Sequence, residues 1–257
     1  MNKKKKYNPN GLILWEGPSP EDGKPIVIIA TSICNPSVNI KTGDMMGVII
    51  MRSDIHPILA NRTGEDESIC GPCPLKGIAN MDKDSGQADE RVCYVGWNGV
   101  LAVYNSYKKG RYQKVRDLEH NARLGATKEV RLGTYGDPAF IPKEILEALV
   151  SRQKSWTGYS HQDSFDPRYM MKSVETLEQM HDAQAKGIRT FRVGESVEDM
   201  DPDSEILCPG SKEAGRVVQC KNCLLCKGSD PEALVQIKSI FNVVHGSGKT
   251  HFDRAVA

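Results

Sequence analysis

The amino-acid sequence predicts an α/β protein: a (β/α) barrel, or a barrel-like parallel sheet, with a cysteine-rich metal-binding insert and a cysteine-rich C-terminal segment. Three observations support this fold class. Short β-branched runs alternate with helical stretches, the 257 residues are enough to bury one substantial core, and eight cysteines are placed unevenly along the chain. An open, doubly wound sheet is the alternative, because strand order cannot be read from one sequence.

The predicted strands are short runs rich in β-branched residues. The first, PIVIIA at 25–30, is continuously apolar, which is typical of strands that are covered on both faces. Further strands are predicted at 47–51, 92–97, 130–134, 155–159, 169–173, 188–193, 206–207 and 239–244.

Four helices are predicted between these strands, at 101–109, 115–124, 142–153 and 174–186. Pro142 stands in the first turn of the third helix, a position that proline favours. Gly187 follows the fourth helix, where glycine commonly ends a helix. Because helices and strands alternate, we expect parallel strands joined by crossover helices.

Charge and hydropathy limit the partners and the cellular location that we expect for the protein. The 34 Lys and Arg residues balance the 33 Asp and Glu residues to leave a net charge of +1, so bulk charge favours neither nucleic acid nor acidic membranes. No apolar run approaches the roughly 20 residues that cross a bilayer, and no apolar stretch follows the basic start as in a secretion signal. We therefore expect a cytoplasmic protein without membrane contact. Residues 1–10 are predicted to be a disordered basic tail, and 11–257 a single domain with metal-binding loops near 61–93 and 208–228.

The C-terminal cysteines are predicted to bind a metal. In a reducing compartment, metal ligation explains clustered cysteines better than disulfide bonds do. Cys220, Cys223 and Cys226 have the spacing C-x2-C-x2-C, and Cys208 can supply the fourth corner of a tetrahedral site. Zinc is the expected ion. An iron–sulfur cluster is the alternative, because the same spacing opens the bacterial ferredoxin motif.

The N-terminal cysteines form an incomplete set of ligands. Cys70 and Cys73 supply a C-x2-C pair, and Cys93 is a more distant third thiol. Cys34, His56 or an external ligand could complete the site, and catalytic metal sites also keep one position open. A structural zinc and a three-cysteine iron–sulfur cluster both remain open here.

Candidate catalytic residues follow two predicted strands. The sequence Y-G-D-P places Tyr135 and Asp137 at the C-terminal end of a strand, where active sites of parallel α/β proteins lie. Asp137 is the candidate nucleophile or general base, although an Asp-Pro turn can also simply start a helix. After the next strand, Trp156 and Tyr159 could stack on a flat ring beside the proton donor His161, or could belong to the core.

A family resemblance adds an expected reaction. Residues 168–171 (RYMM), 174–176 (VET) and 185–191 (AKGIRTF), followed by closely spaced cysteines, resemble the late barrel strands and zinc segment of tRNA-guanine transglycosylases. Phage and bacterial relatives of that family insert 7-deazaguanines into DNA. The family carries its nucleophilic aspartate directly after this Phe, where the present chain has Arg192. The resemblance therefore implies either that the nucleophile has moved, with Asp137 as the candidate, or that the chemistry differs. Arg192 is placed to meet a phosphate or a base edge.

The chain also resembles a family of phage-encoded cysteine-rich proteins that share the motifs C-G-x-C-P, C-Y-V, Y-G-D-P, T-G-Y-x-H and C-P-x-S. This resemblance implies a phage origin, and hence the cytoplasm of the host cell.

Three functions are consistent with these features. The first is a base-exchange transglycosylase that inserts a 7-deazaguanine into nucleic acid, most readily DNA, through a carboxylate nucleophile, with zinc supporting the fold. The second is an iron–sulfur enzyme of the radical type that uses Cys70, Cys73 and Cys93. The third is a zinc-stapled nucleic-acid-binding protein without enzymatic activity.

Overall fold

The fold is built on two β-sheets with helices packed around them. The computed structural model describes residues 7–37, 39–152, 155–215, 218–230, 237–246 and 248–256. It confirms a mixed α/β fold with parallel strands. Of the predicted tail, residues 1–6 lie outside the described part, whereas Asn8 is anchored by a 2.8 Å hydrogen bond from its N–H to the carbonyl of Arg111.

The first sheet has six strands in the order β4-β1-β2-β3-β5-β6. Strand β2 runs antiparallel to both β1 and β3, and the other neighbours are parallel. Strands β2 and β3 are almost wholly buried, as their continuous apolar sequences predict. The strands are β1 (Gly11–Pro18), β2 (Pro25–Thr31), β3 (Met46–Arg52), β4 (Gln113–Lys114), β5 (Val130–Tyr135) and β6 (Trp156–Thr157).

The second sheet has five strands in the order β10-β11-β9-β8-β7, and all its neighbours are parallel. Its strands are β7 (Tyr159–Ser160), β8 (Met171–Val174), β9 (Thr190–Gly194), β10 (Glu205–Leu207) and β11 (Ser239–Val243).

Eight helices accompany the sheets in the described part of the chain. They are α1 (Pro57–Thr63), α2 (Glu67–Cys70), α3 (Trp97–Lys108), α4 (Leu118–Gly125), α5 (Lys143–Val150), α6 (Leu177–Ala185), α7 (Cys220–Cys223) and α8 (Phe252–Val256). Helices α4 and α5 approach closely at Gly125, where a Cβ atom would stand 1.7 Å from the Leu149 carbonyl oxygen. Among the described residues, no helix combines the length and apolar character needed to cross a bilayer.

The two sheets share one stretch of chain, the seam segment Trp156–Ser160. Its first half pairs with β5 and its second half with β8, and only Gly158 separates the halves. The seam segment therefore links the β5 side of the first sheet to the β8 side of the second. In the described chain, β4 is an edge strand of the first sheet and β10 is an edge strand of the second, and the two do not pair. A closed barrel is therefore not shown.

Several element predictions need correction. The predicted strand at 92–97 does not form, because the N–H groups of Val92 and Cys93 bond to the carbonyl of Leu75 rather than to a strand, and Trp97 begins α3. The predicted loop region at 61–91 contains the end of α1 and all of α2. Strand β1 was not predicted at all, since its sequence GLILWEGP lacks a β-branched run.

A buried ion pair lies within the second sheet. The Arg192 guanidinium donates to both carboxylate oxygens of Glu205, at 2.9 and 2.7 Å, and to the carbonyl of Asp199 at 2.6 Å. The two side chains are 4% and 0% exposed. An unpaired charge at this depth is far more costly than an unpaired charge at the surface.

We expect Glu205→Gln to lower the free energy of unfolding by about 3–5 kcal/mol, because it leaves the Arg192 cation buried without a counter-charge. Urea denaturation measures this change. Lys143→Gln, which removes an exposed and loosely paired lysine on α5, serves as the matched control and should change stability by less than about 1 kcal/mol. Equal urea midpoints for the two variants would contradict a stabilising role of the buried ion pair.

Candidate functional site

Three polar side chains meet at the C-terminal ends of parallel strands. Asp137 follows β5, His161 follows β7 and Glu175 follows β8. The backbone N–H of His161 donates to Asp137 Oδ2 at 2.9 Å, and His161 Nε2 of the ring lies 2.7 Å from Glu175 Oε1. The parallel topology thus brings together residues from the ends of β5, β7 and β8. Glu175 was not singled out from the sequence, although an acidic residue between a strand and a helix N-terminus is a usable signal.

Asp137 is buried, with 7% of its surface exposed. Its Oδ1 accepts a 2.9 Å hydrogen bond from the Ala139 N–H and so caps the short 3-10 helix Pro138–Phe140. Its Oδ2 accepts from the His161 N–H and, at 3.4 Å, from Gln162 Nε2. Both oxygens therefore hold the backbone in place, and attack on a substrate would require this carboxylate to leave its partners.

The same two loops also fix Cys70. The Asp137 N–H donates to the carbonyl of Ile69 at 2.7 Å, and Gln162 Nε2 donates to the carbonyl of Cys70 at 2.9 Å. Gly71 allows this contact: its φ of +52° disfavours other residues, and a Cβ atom would stand 2.5 Å from Gln162 Oε1. No motif indicated the role of Gln162, which lies 92 residues beyond Cys70.

His161 and Glu175 form a shielded pair, with side chains 15% and 6% exposed. Burial acts to lower the pKa of His161, but the neighbouring Cys73 thiol and the Glu175 carboxylate raise that pKa well above its ordinary value. Lys172 Nζ steadies the loop by donating to the carbonyls of His161 and Gln162, both at 3.0 Å. The His161 ring is therefore held with Nε2 toward the Glu175 carboxylate, and it lies near the Cys73 thiol.

A cleft of about 660 Å³ opens beside this pair. This volume lies within the range of about 300–1,000 Å³ that is usual for small-molecule sites. One wall comes from the cysteine-rich insert and the other from β8 and α6. The cleft is lined by Pro72, Pro74, His161, Asp163, Phe165, Lys172, Ser173, Val174, Glu175, Gln179, Asp182, Ala183, Lys186 and Ile188.

The thiols of Cys70, Cys73 and Cys93, here called the mouth thiols, are neighbours. Burial and then the charges of Asp66, Cys73 and Cys93 raise the pKa of Cys70 well above its ordinary value. Burial, together with Cys73, also raises the pKa of Cys93. Cys73 lies between the two prolines that line the cleft.

The two other candidate ligands for the mouth thiols have different neighbours. Cys34 is exposed, and its Sγ lies 3.2 Å from the carbonyl oxygen of Pro9. The His56 ring packs edge-on against Tyr104, with centroids 5.4 Å apart. Neither residue is among the groups that shift the pKa of Cys70 or Cys93.

Tyr135 lies close to the mouth thiols. It is 4% exposed, and its ring packs edge-on against Trp97 at 6.0 Å. Burial raises the pKa of Tyr135 well above its ordinary value, and the charges of Cys70, Asp66 and Cys93 add to the effect. Its hydroxyl is buried without a hydrogen-bond partner in the described structure. Such an unpaired group costs about 1–3 kcal/mol, so it marks a place where a polar partner would be accommodated.

The thiols of Cys208, Cys220, Cys223 and Cys226, here called the seam thiols, form the second group. Burial, followed by the charges of Cys208, Cys220 and Cys223, raises the pKa of Cys226 to about 12. The four thiols therefore share one neighbourhood, although Cys208 stands well apart in sequence.

In the described chain, no set of three or more His, Cys, Asp or Glu side chains stands in an arrangement that could hold a metal ion. The chemistry of both thiol groups nevertheless suits zinc or an iron–sulfur cluster, because thiolates are the preferred soft ligands of both. Metal binding would replace the thiol protons, because cysteine binds metals as the thiolate.

The other candidate substrate-binding residues do not join the cleft. Trp156 donates from Nε1 to the carbonyl of Tyr169 at 2.9 Å, and its ring packs against the first sheet's core. Tyr159 packs against the second core and stacks on Phe191 at 4.4 Å. The two rings therefore lie in separate cores, and Arg192 is occupied by Glu205.

We expect Asp137→Asn to destabilise the protein by about 1–3 kcal/mol, because one of its two backbone donors loses an acceptor. Chemical denaturation measures the change. Asp163→Asn is the control: this exposed residue pairs only with Lys172 among the described side chains, and its loss should be nearly neutral. An Asp137→Asn variant as stable as the parent would contradict the capping role.

Comparison with known proteins adds no family to this picture. No protein-family model matches the chain, and no curated protein or solved structure is detectably similar to it.

Proposed function

We propose that the protein is a metal-dependent enzyme whose active site is the cleft at the C-terminal ends of β7 and β8. The mouth thiols would hold the metal, and the His161–Glu175 pair would carry a proton. One observation supports this proposal above the others: Cys73 lies in the chain between Pro72 and Pro74 of the cleft wall, and its thiol is a neighbour of the buried His161 ring.

The number of ligands favours a catalytic over a structural metal. Three thiols leave one coordination position, and the residues considered for a fourth ligand, Cys34 and His56, contact other parts of the chain. Structural zinc sites usually have four protein ligands, whereas catalytic sites keep a position for water or substrate. A three-cysteine iron–sulfur cluster has an equally open iron.

The bound group would supply a Lewis acid at its open position. The chain's own residues would do the rest. Glu175 orients the imidazole by its 2.7 Å contact with Nε2, and the ring can accept or return a proton at the cleft. Asp137 and Gln162 position the loop that carries Cys70, and Tyr135 offers its unpaired hydroxyl to the mouth thiols or to the group they bind.

The cleft suits a small polar substrate, because its walls combine charged side chains with apolar ones such as Phe165 and Ile188. A deazaguanine base and DNA remain the substrates that the family resemblance implies. Base exchange through Asp137 receives less support than metal-centred chemistry, because both oxygens of this carboxylate are bonded to the protein. A purely structural protein would not require the shielded His161–Glu175 pair beside the thiols.

Anaerobically purified protein is expected to contain metal at the mouth thiols. Elemental analysis should show that Cys93→Ser loses one metal equivalent, or one cluster, relative to the parent. Cys34→Ser is the matched control and should lose nothing, because this exposed thiol is separate from both groups.

A brown protein with visible absorption would identify the cluster, and a colourless protein with bound zinc would identify the ion. A parent protein without metal, or a Cys93→Ser variant with undiminished metal content, would overturn the proposal.

The open coordination position is expected to accept a small external ligand. Protein loaded with cobalt(II) in place of zinc should change its visible absorption bands when cyanide is added, because cyanide would enter the open position. Cys93→Ser, which keeps only the seam thiols as a complete set, should show no response. A parent spectrum that does not change with cyanide would contradict a catalytic site and indicate a closed, structural one.

A further inference from the structure

The seam thiols stand where three separate segments meet. The Cys208 N–H donates to the carbonyl of Phe241 in β11 at 2.7 Å, which fixes this cysteine at the second sheet. The carbonyl of Cys226 accepts a 3.0 Å hydrogen bond from the Gly158 N–H of the seam segment. Both bonds are made by the backbone, so the thiol side chains remain available.

Helix α7 attaches the same group to the first sheet. The Cys220 N–H donates to the carbonyl of Lys41 at 2.9 Å, and the Lys221 N–H donates to that of Thr42 at 3.2 Å. The approach is tight, since a Cβ atom on Gly43 would lie 2.8 Å from Gln219 Oε1. This stretch leads directly into β3, so the backbone that carries the seam thiols is bonded to the second sheet, to the seam segment and to the chain just before β3.

Arg131 is a cation in this region with an unusual set of partners. Its guanidinium donates to Tyr159 Oη at 2.7 Å and lies 5.5 Å from the centroid of the same ring. No carboxylate of the described residues lies within ion-pair distance of it, although Arg131 is half-buried. Arg131 pairs with Thr157 of the seam segment, next to Gly158, whose N–H donates to the carbonyl of Cys226 at 3.0 Å.

The charge of a metal–thiolate site would supply the missing partner. Four thiolates around one divalent cation carry two negative charges, which are costly to hold away from water. A half-buried guanidinium without a carboxylate partner is also costly, and a nearby negative charge lowers that cost. The thiolate charge would therefore neutralise the Arg131 cation, and the cation would make the thiolate charge less costly to bury. Four neutral thiols would leave Arg131 without a counter-charge.

We propose that the seam thiols bind a zinc ion that fastens the two sheets together, and that Arg131 is the positioning residue that neutralises its thiolate charge. Tyr159 holds the guanidinium in place through its hydroxyl. This zinc is distinct from the metal of the cleft, so the proposal does not depend on the proposed enzymatic function.

The test measures how fast zinc leaves the seam thiols. In the Cys93→Ser background, which removes the mouth site, zinc transfer to a coloured chelator reports the seam site alone. Arg131→Gln is expected to release zinc about 10–100-fold faster, the usual effect of removing a group that supports metal ligands. Arg131→Lys, which keeps the charge, should recover most of the retention.

Arg123→Gln is the matched control, because this arginine lies on the exposed side of α4 and pairs with Glu119. It should release zinc at the parental rate. A second readout separates charge compensation from simple packing: after zinc is stripped, Arg131→Gln should no longer be less stable than its parent.

Three outcomes would overturn the proposal. They are absence of zinc in the Cys93→Ser protein, parental release from Arg131→Gln, and a stability loss in Arg131→Gln that persists without zinc. If Arg131→Gln fails to fold, the release rate of Arg131→Lys decides, since rapid loss despite a retained charge would contradict charge compensation.

Discussion

The split hydrogen bonding of the seam segment Trp156–Ser160 is the constraint on which the remaining structure depends. Its first half belongs to the first sheet and its second half to the second sheet. The change of partner occurs at Gly158, where a Cβ atom would lie 3.2 Å from Leu132 Cβ and 3.3 Å from Met170 Cγ. A side chain there would press on both neighbouring strands. The orientation of the two sheets, and with it the meeting of their strand ends, therefore depends on a residue without a side chain.

In the two proposals, the cysteine groups have different tasks. The mouth thiols adjoin a cleft and the shielded His161–Glu175 pair, an arrangement that suits a reaction site. The seam thiols lie between sheets that no other described strand pairing closes into a barrel. Where strand pairing does not close the two sheets, another interaction has to hold them together. Metal–thiolate bonds are strong enough to do so.

The sequence was most informative where local chemistry decides the structure. Buried strands such as Ile26–Ala30 follow from continuous apolar residues, and the Y-G-D-P turn follows β5 as its glycine and proline predict. The division of the cysteines into two neighbourhoods likewise agrees with their spacing. These features depend on residues that are close along the chain.

The partners of individual polar groups were not predictable in the same way. Arg192 was expected to face a substrate, but Glu205 reaches it from another strand and neutralises it inside the protein. Beyond its local cap on Ala139, Asp137 resembles a free carboxylate until the loop after β7 supplies the donors of Oδ2, starting 24 residues later. Such pairings depend on strand order and register, which no single stretch of sequence contains. For the same reason the antiparallel position of β2 between β1 and β3 could not be foreseen.

The peptide groups of Gly158 have one more consequence. Its N–H is bonded to Cys226 and its carbonyl to Met171, and His161 follows three residues later. The backbone that presents the histidine is thus continuous with the backbone that anchors a seam thiol. The two proposed sites would therefore be thermodynamically linked: any event at one that displaces this segment would change the binding free energy at the other, and the reverse change would be equal. Metal binding at the seam thiols would thus alter binding at the cleft through the backbone alone.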